Sequence, residues 1–398
     1  MNKEMIKLGQ ESSVIRELSK EANLRKKEIG NHLVYDFTIG NPNVKAPKIV
    51  NDNLKKLIDD YSNTFLHDYT ESAGNASVRE KLVESINSIY GCNENKELIY
   101  LTNGASTSLS VALHALINPG DEVIIFAPYF PEYYVFIKTV GGIVKVVQTY
   151  EKDGFIPNFE NLEQNINEHT KMIIINSPNN PTGAVYSEKF IKQLCELLES
   201  KQKEYNHVIY LLSDEPYREL IYSDVKYPFI TNYYDNSLVA YSYSKSLSLP
   251  GERIGYLLVS NKCKDKELVF DAIKGAGRAI GCICAPSLFQ YLLPTVLNIT
   301  SDFSIYIENR DLLVRILLKA GYEIACKPEG AFYLFIKSLE DDAIAFCKKA
   351  TEFNLFMVPS DSFGLKGYVR ISYCVSSETI KNSEEAFKKL KEYYERSR

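Results

Sequence analysis

Lys245 lies in Ser242-Tyr243-Ser244-Lys245, and the chain runs on through Ser246-Leu247-Ser248-Leu249-Pro250 to Gly251-Glu252-Arg253-Ile254-Gly255. An amine is a nucleophile only when deprotonated, and burial among neutral hydroxyl and apolar groups lowers its pKa. The neighbours here are serines, a tyrosine and leucines, with no acid until Glu252. Arg253 follows in a glycine-flanked turn, where a cation can grip an anion. An amine beside an anion grip suits a carbonyl compound that carries a phosphate. A lone lysine near a serine-rich loop is ordinarily a surface residue, so the reading depends on what accompanies it.

Four further stretches carry matching chemistry. Asn103-Gly104-Ala105-Ser106-Thr107 falls between a strand pattern and a helix pattern. Backbone N–H groups, hydroxyls and the helix dipole make an anion site there, although Ser106 or Thr107 serves equally well as a plain N-cap. Tyr129 and Phe130, in Ala127-Pro128-Tyr129-Phe130-Pro131, offer an aromatic face for a flat ring, with core packing as the ordinary alternative. Ser177-Pro178-Asn179-Asn180-Pro181-Thr182-Gly183 is a rigid turn able to aim a side chain. Asp214, in Ser213-Asp214-Glu215-Pro216-Tyr217, places a carboxylate at a strand end. Against a pyridine nitrogen, such a group keeps the ring protonated and able to accept electrons; elsewhere it is a cap or turn residue.

The elements that must position these groups alternate between two periods. Leu98–Leu101, Glu122–Phe126, Ile143–Val147, Met172–Ile175, Val208–Leu212, Leu238–Tyr241 and Gly255–Val259 read as strands, with helices at Ser106–Ile117 and Glu188–Lys203 and between the second and third strands. Apolar runs alternating with helices predict a mostly parallel seven-stranded sheet covered on both faces. Ligands of such α/β sheets bind beyond the carboxyl ends of the strands, which gathers the stretches above around one site. Beyond Pro286 the pattern becomes α+β. It has helices near 301–320, 341–353 and up to about 395, with strands near 332–335 and 368–371. The expected division is an N-terminal arm and part of the smaller unit over 1–45, a large cofactor-binding unit over 46–285 and a small α+β unit over 286–398.

The totals narrow the function classes. With 398 residues, 45% of them hydrophobic, the chain can bury two cores. A net charge of -5 gives no reason to expect nucleic acid or an anionic membrane as partner. No apolar run approaches a membrane span, and Met1-Asn2-Lys3-Glu4 lacks the start of a signal peptide. Eight scattered cysteines and five dispersed histidines point to reduced thiols in cytoplasm and no metal. Gly275-Ala276-Gly277-Arg278-Ala279-Ile280-Gly281 imitates a dinucleotide fingerprint, but it has one residue too many and follows a helix pattern, so it carries nothing for NAD.

Taken together and in order, the motifs resemble the aspartate aminotransferase family, the class I/II aminotransferases of fold type I that depend on pyridoxal 5'-phosphate. The resemblance runs from about Tyr35 to Val375. It implies that Lys245 forms the internal aldimine, and that Arg253, Ala105, Ser106 and Ser242 surround the phosphate. Phe130 would stack on the ring with Tyr129 beside it, and Asp214 would hold the ring nitrogen. The 177–183 heptad matches the family's Asn-Pro-Thr-Gly signature, so that Asn180 would meet the phenolic oxygen and the substrate carboxylate. Tyr217 would bond the same phenolic oxygen. Register with the family makes Gly40 part of the loop that closes on substrate and Arg370 the bidentate partner of the α-carboxylate. Tyr69, ahead of Gly74 and Arg79, corresponds to the tyrosine that serves the neighbouring subunit's phosphate, which implies a homodimer with shared sites.

The expected reaction is therefore transfer of an amino group from an L-amino acid, aspartate-type favoured, to a 2-oxo acid such as 2-oxoglutarate. Arg278, a short way before Cys284-Ala285-Pro286-Ser287, is a candidate for reading a side-chain carboxylate across the dimer; a surface arginine is its ordinary reading. An aromatic- or alanine-type transaminase remains open, as does a carbon–sulfur β-lyase on the same fold. A lyase of this kind usually lacks the Gly-Glu-Arg-Ile-Gly stretch. A sensing domain of a transcription regulator would need a DNA-binding domain ahead of the first motif, where only about 40 residues stand.

Overall fold

A computed structural model describes residues 1–10, 14–222 and 225–396. After a two-residue strand, Tyr35–Asp36 (β1), the chain forms Ile99–Thr102 (β2), Glu122–Ala127 (β3), Ile143–Gln148 (β4), Thr170–Asn176 (β5), Tyr210–Asp214 (β6), Ser237–Ser242 (β7) and Gly255–Val259 (β8). These last seven make one sheet in the order β2-β8-β7-β6-β5-β3-β4. β3 to β7 run parallel, and only β8 is antiparallel to its neighbours β2 and β7.

Period-2 alternation explains why the sheet needs two covers. Along β3, Ile124 and Phe126 enter one core while Val123 and Ile125 enter the other; β5 divides Ile173 and Ile175 from Met172 and Ile174 in the same way. Helices Ala76–Tyr90, Glu188–Tyr205 and Ser287–Val296 cover the first face, and helices Ala105–Leu116 and Lys266–Ala279 the second. The Gly275–Gly281 stretch begins inside the last of these helices, not in a strand–turn. Its Gly277 serves packing, since a Cβ there would fall 2.3 Å from the Tyr100 hydroxyl.

Further along lie Ile324–Cys326 (β9), Tyr333–Lys337 (β10), Leu355–Phe356 (β11), Val358–Pro359 (β12) and Tyr368–Ser372 (β13). β12-β13-β10-β9 form an antiparallel sheet, packed with helices Ser304–Lys319, Ala343–Thr351 and Glu384–Arg396. β1 pairs in parallel with β11, which ties the N-terminal segment to this smaller sheet. The sequence pattern missed β9 and β12, and it missed the helix Ser287–Val296, which holds Pro294. That helix buries Leu292, Leu293 and Val296 against the large sheet's core. Ile299 still packs against that core, whereas Phe303 packs against the core of the smaller sheet. Among the described residues no helix is long and apolar enough to cross a membrane.

Candidate active site

The carboxyl ends of β2, β3, β5, β6 and β7 converge on a cavity of about 270 Å³, which the loop after β1 and the β10–β13 pair close from the other side. Ala105, Ser106, Phe130, Asn180, Asp214, Tyr217, Ser242, Lys245, Arg253, Gly40 and Arg370 all border it.

Lys245 stands in the short helix Tyr243–Ser246, whose start is capped by Ser242 accepting from the Ser244 N–H at 3.2 Å. Its amine donates to the Gly40 carbonyl at 2.6 Å and lies 5.4 Å from the centre of the Phe332 ring and 6.0 Å from that of Tyr217. No carboxylate pairs with it among the described residues. Burial pulls its pKa down to about 8, with Arg253 and Arg370 acting in the same direction and Cys374 opposing. Part of the amine is thus free of its proton near neutrality.

Arg253 occupies a left-handed backbone position (φ 53°), which brings its guanidinium to the Pro250 carbonyl at 3.1 Å and towards Ser244 Oγ at 3.5 Å. Opposite it begins helix Ala105–Leu116, whose N-cap is Gly104 at φ 98° with no side-chain cap bond. Neither Ser106 nor Thr107 is the N-cap. A Cβ on Gly104 would sit 2.9 Å from Arg253 Nη2 and 3.3 Å from Ser242 Oγ, so glycine keeps this cradle open. Uncapped N–H groups, two serines and a guanidinium make an anion pocket.

Asp214 ends β6 and is buried. Oδ2 accepts from the Tyr133 hydroxyl at 2.5 Å, while Oδ1 is enclosed without a partner. Burial raises its pKa to about 7; the Tyr133 bond opposes that rise and neighbouring Glu215 adds to it. Phe130 lines the cavity with its ring edge-on to Tyr133 at 5.6 Å. Tyr129 does not border the cavity; its N–H bonds the Phe363 carbonyl and its ring lies beside Gly364.

Asn180 is aimed by Asn176, whose Oδ1 accepts the Asn180 N–H at 2.8 Å. Its own Oδ1 accepts from Arg370 Nη1 at 3.1 Å. Arg370, only 2% exposed, also donates to the Thr38 carbonyl and lies 4.6 Å from the Tyr333 ring centre. Its Nε is buried and unbonded, and no carboxylate neutralises the guanidinium among the described residues. A buried cation left in this state favours an incoming anion. Tyr217 and Tyr333 share a 2.8 Å hydroxyl contact.

Two expected residues lie outside the cavity. Tyr69 is 93% exposed. Arg278 is exposed in the last turn of helix Lys266–Ala279. Arg79, by contrast, is a buried structural residue that bonds the Gly74 and Lys96 carbonyls. Sequence reasoning overlooked Ile15, Tyr133, Asn176 and Tyr333. Their types carry no chemical signal until distant segments are brought together.

Residues 34–387 match the family model for aminotransferase class I and II. The chain belongs to that family. An aspartate aminotransferase of Thermotoga maritima is 32% identical to this aminotransferase over 353 residues, covering 87% of this chain and 88% of the relative. Among solved structures, an amino transferase from Eubacterium rectale superposes with a TM-score of 0.96 at 49% identity over 99% of both chains. The aspartate aminotransferase of Thermus thermophilus with maleate gives 0.82 at 26% identity, over 96% of this chain and 97% of the other. Aminotransferases of this family use pyridoxal phosphate, and the cavity fits it. The orphaned Asp214 Oδ1 suits a protonated ring nitrogen, and the Gly104–Arg253 cradle suits a phosphate.

Proposed function

We propose that this aminotransferase takes the amino group of an aspartate-type L-amino acid and passes it to a 2-oxo acid such as 2-oxoglutarate, with Lys245 as covalent anchor and proton carrier. The observation that carries this reading is the pairing of two cations in one cavity: an amine poised near neutrality and a buried arginine with no counter-ion. When bound, pyridoxal phosphate supplies an aldehyde and an electron-withdrawing ring. Lys245 Nζ, the amine of the cavity, would be the group that holds the cofactor's aldehyde carbon. As a free amine beside the substrate, it would be the group that takes up and returns a proton at the substrate's Cα.

The other residues bind and orient. Arg370 takes the α-carboxylate in a fork, with Asn180 beside it. Asp214 holds the ring nitrogen, Phe130 stacks on the ring, and Tyr217 donates to its phenolic oxygen. Ala105, Ser106, Ser242 and Arg253 hold the phosphate. The Gly40 loop covers the substrate. Tyr69, exposed in the single chain, reaches the partner subunit's phosphate in a homodimer, and Arg278 reads the distal carboxylate from across that interface.

The names of the relatives support the aspartate-type donor. The apolar lining by Ile15, Leu109 and Tyr333 favours an aromatic or aliphatic donor as the second reading. Borohydride reduction followed by peptide mapping tests the anchor: cofactor mass on any residue but Lys245 would overturn it. A donor panel tests the substrate. Conversion by aspartate and glutamate, reduced selectively by Arg278→Ala, supports the first reading. Conversion only by alanine or tyrosine replaces it with the second.

A further inference from the structure

Tyr133 is the second residue of helix Glu132–Thr139, and it is 3% exposed. Nothing in its local sequence sets it apart from a core aromatic. Its hydroxyl, however, is the only donor that reaches the Asp214 carboxylate among the described residues. Asn176 Nδ2 donates to the backbone carbonyl of Asp214, not to the side chain. The same Tyr133 ring packs edge-on against Phe130, at 84° between planes. One side chain therefore touches both the group disposed to face a ring nitrogen and the group disposed to lie on the ring.

The electrostatic surroundings make that single bond important. Among the described residues no cation pairs with the Asp214 carboxylate. The titratable groups that face it are Glu215, next in the chain, whose charge disfavours ionisation, together with Tyr133 and Tyr217. Burial disfavours the carboxylate as well. A hydrogen bond donated to the ionised form is the one local contribution in its favour. It also fixes rotation about the carboxyl bond, so that the free Oδ1 keeps one direction.

We propose that Tyr133 is a positioning residue that keeps Asp214 ionised and directed at the cofactor's ring nitrogen while setting the plane of Phe130. The proposal deepens the reading of Asp214 as the ring-nitrogen partner and rests on it. Tyr133→Phe keeps the packing against Phe130 and removes only the donor. In its absence Asp214 takes up a proton at a higher pH, and a neutral acid holds a protonated ring less well.

The test uses holoenzyme loaded with pyridoxal phosphate or with an analogue whose ring nitrogen is replaced by carbon. Release of each cofactor on dilution is followed against pH for the wild type, Tyr133→Phe, Asp214→Asn and the double variant, with circular dichroism as a check on folding. The wild type should retain pyridoxal phosphate better than the analogue. Tyr133→Phe should lose roughly tenfold of that preference near neutrality, the equivalent of one pKa unit, and the pH at which half is lost should move upward. In the Asp214→Asn background the second substitution should change nothing. A Tyr133→Phe enzyme with the wild-type preference and pH profile, beside an Asp214→Asn enzyme that has lost the preference, would overturn the proposal and leave the Asp214 reading standing. A wild type that does not distinguish the two cofactors would overturn both.

Discussion

Lys245 and Asp214 are pushed towards neutrality by one cause, burial, and their consequences run in opposite directions of pH. Lys245 keeps its proton below about 8, so uptake of pyridoxal phosphate by cofactor-free protein should quicken as pH rises through that value, until the amine is fully free. Stopped-flow absorbance across pH 6 to about 9.5 checks this; a flat profile would mean that the amine is already neutral. Asp214 behaves in the reverse sense. Its ordinary value is 3.8 and its folded value about 7, so the folded chain binds this proton more tightly than the unfolded chain. Cofactor-free protein must therefore lose stability as pH rises from about 4 to about 7, with no further loss above. A shift of that size corresponds to a few kcal/mol, on the order of 4 at most. Asp214→Asn removes the titration. Cofactor-free Asp214→Asn should melt above the wild type at pH 7.5 and close to it at pH 4, as differential scanning fluorimetry would reveal.

At the scale of elements, what was legible in the sequence is what one strand and its loop encode together. Lys245, Asp214 and the Ser177–Gly183 turn each follow an apolar run that ends at the cavity, so pattern and chemistry lie side by side. Tyr133 and Tyr333 were illegible for the opposite reason. Tyr133 meets Asp214 across 81 positions, and Tyr333 meets Tyr217 across 116; alone, each is an aromatic in an amphipathic helix or a buried strand. Gly40 was marked in the sequence only by its register with the family, and its contacts are likewise long-range. Its carbonyl holds the Lys245 amine, and a Cβ on it would come within 1.9 Å of the Tyr333 hydroxyl. Gly40→Ala must displace either the loop or Tyr333, an overpacking cost of about 1–3 kcal/mol. Its kcat/KM should fall by a factor of ten or more while cofactor content is kept. Ile15, from helix Val14–Ile29, borders the cavity as well. Ile15→Ala should raise KM for the donor with little change in kcat, since the residue borders the cavity and carries no group that can move a proton.

At the scale of the whole molecule, the exposure of Tyr69 is the feature that a single chain leaves without purpose. A tyrosine that is 93% exposed contributes almost nothing to its own core. Yet the loop that carries it is held firmly, with the Ser72 carbonyl accepting the Cys284 N–H at 3.4 Å and the Thr70 carbonyl facing Cys284 Sγ at 3.3 Å. Nearby Phe65 stacks with Tyr61 and Tyr291 in a partly exposed aromatic group. In the proposed homodimer this outward hydroxyl would be donated across a two-fold interface, each copy supplying its Tyr69 to the other's phosphate. The arrangement predicts complementation between two crippled chains. Lys245→Ala lacks the anchor but keeps Tyr69; Tyr69→Ala keeps the anchor and lacks the donor. Each homodimer should be impaired, the first nearly inactive and the second weakened in its hold on the cofactor. Mixed by unfolding and refolding, the two chains should form hybrids with one intact site, made of Lys245 from one copy and Tyr69 from the other. Activity at limiting pyridoxal phosphate should then exceed the sum of the separate homodimers. Activity equal to that sum, with hybrids present by native mass spectrometry, would place each site wholly within one chain.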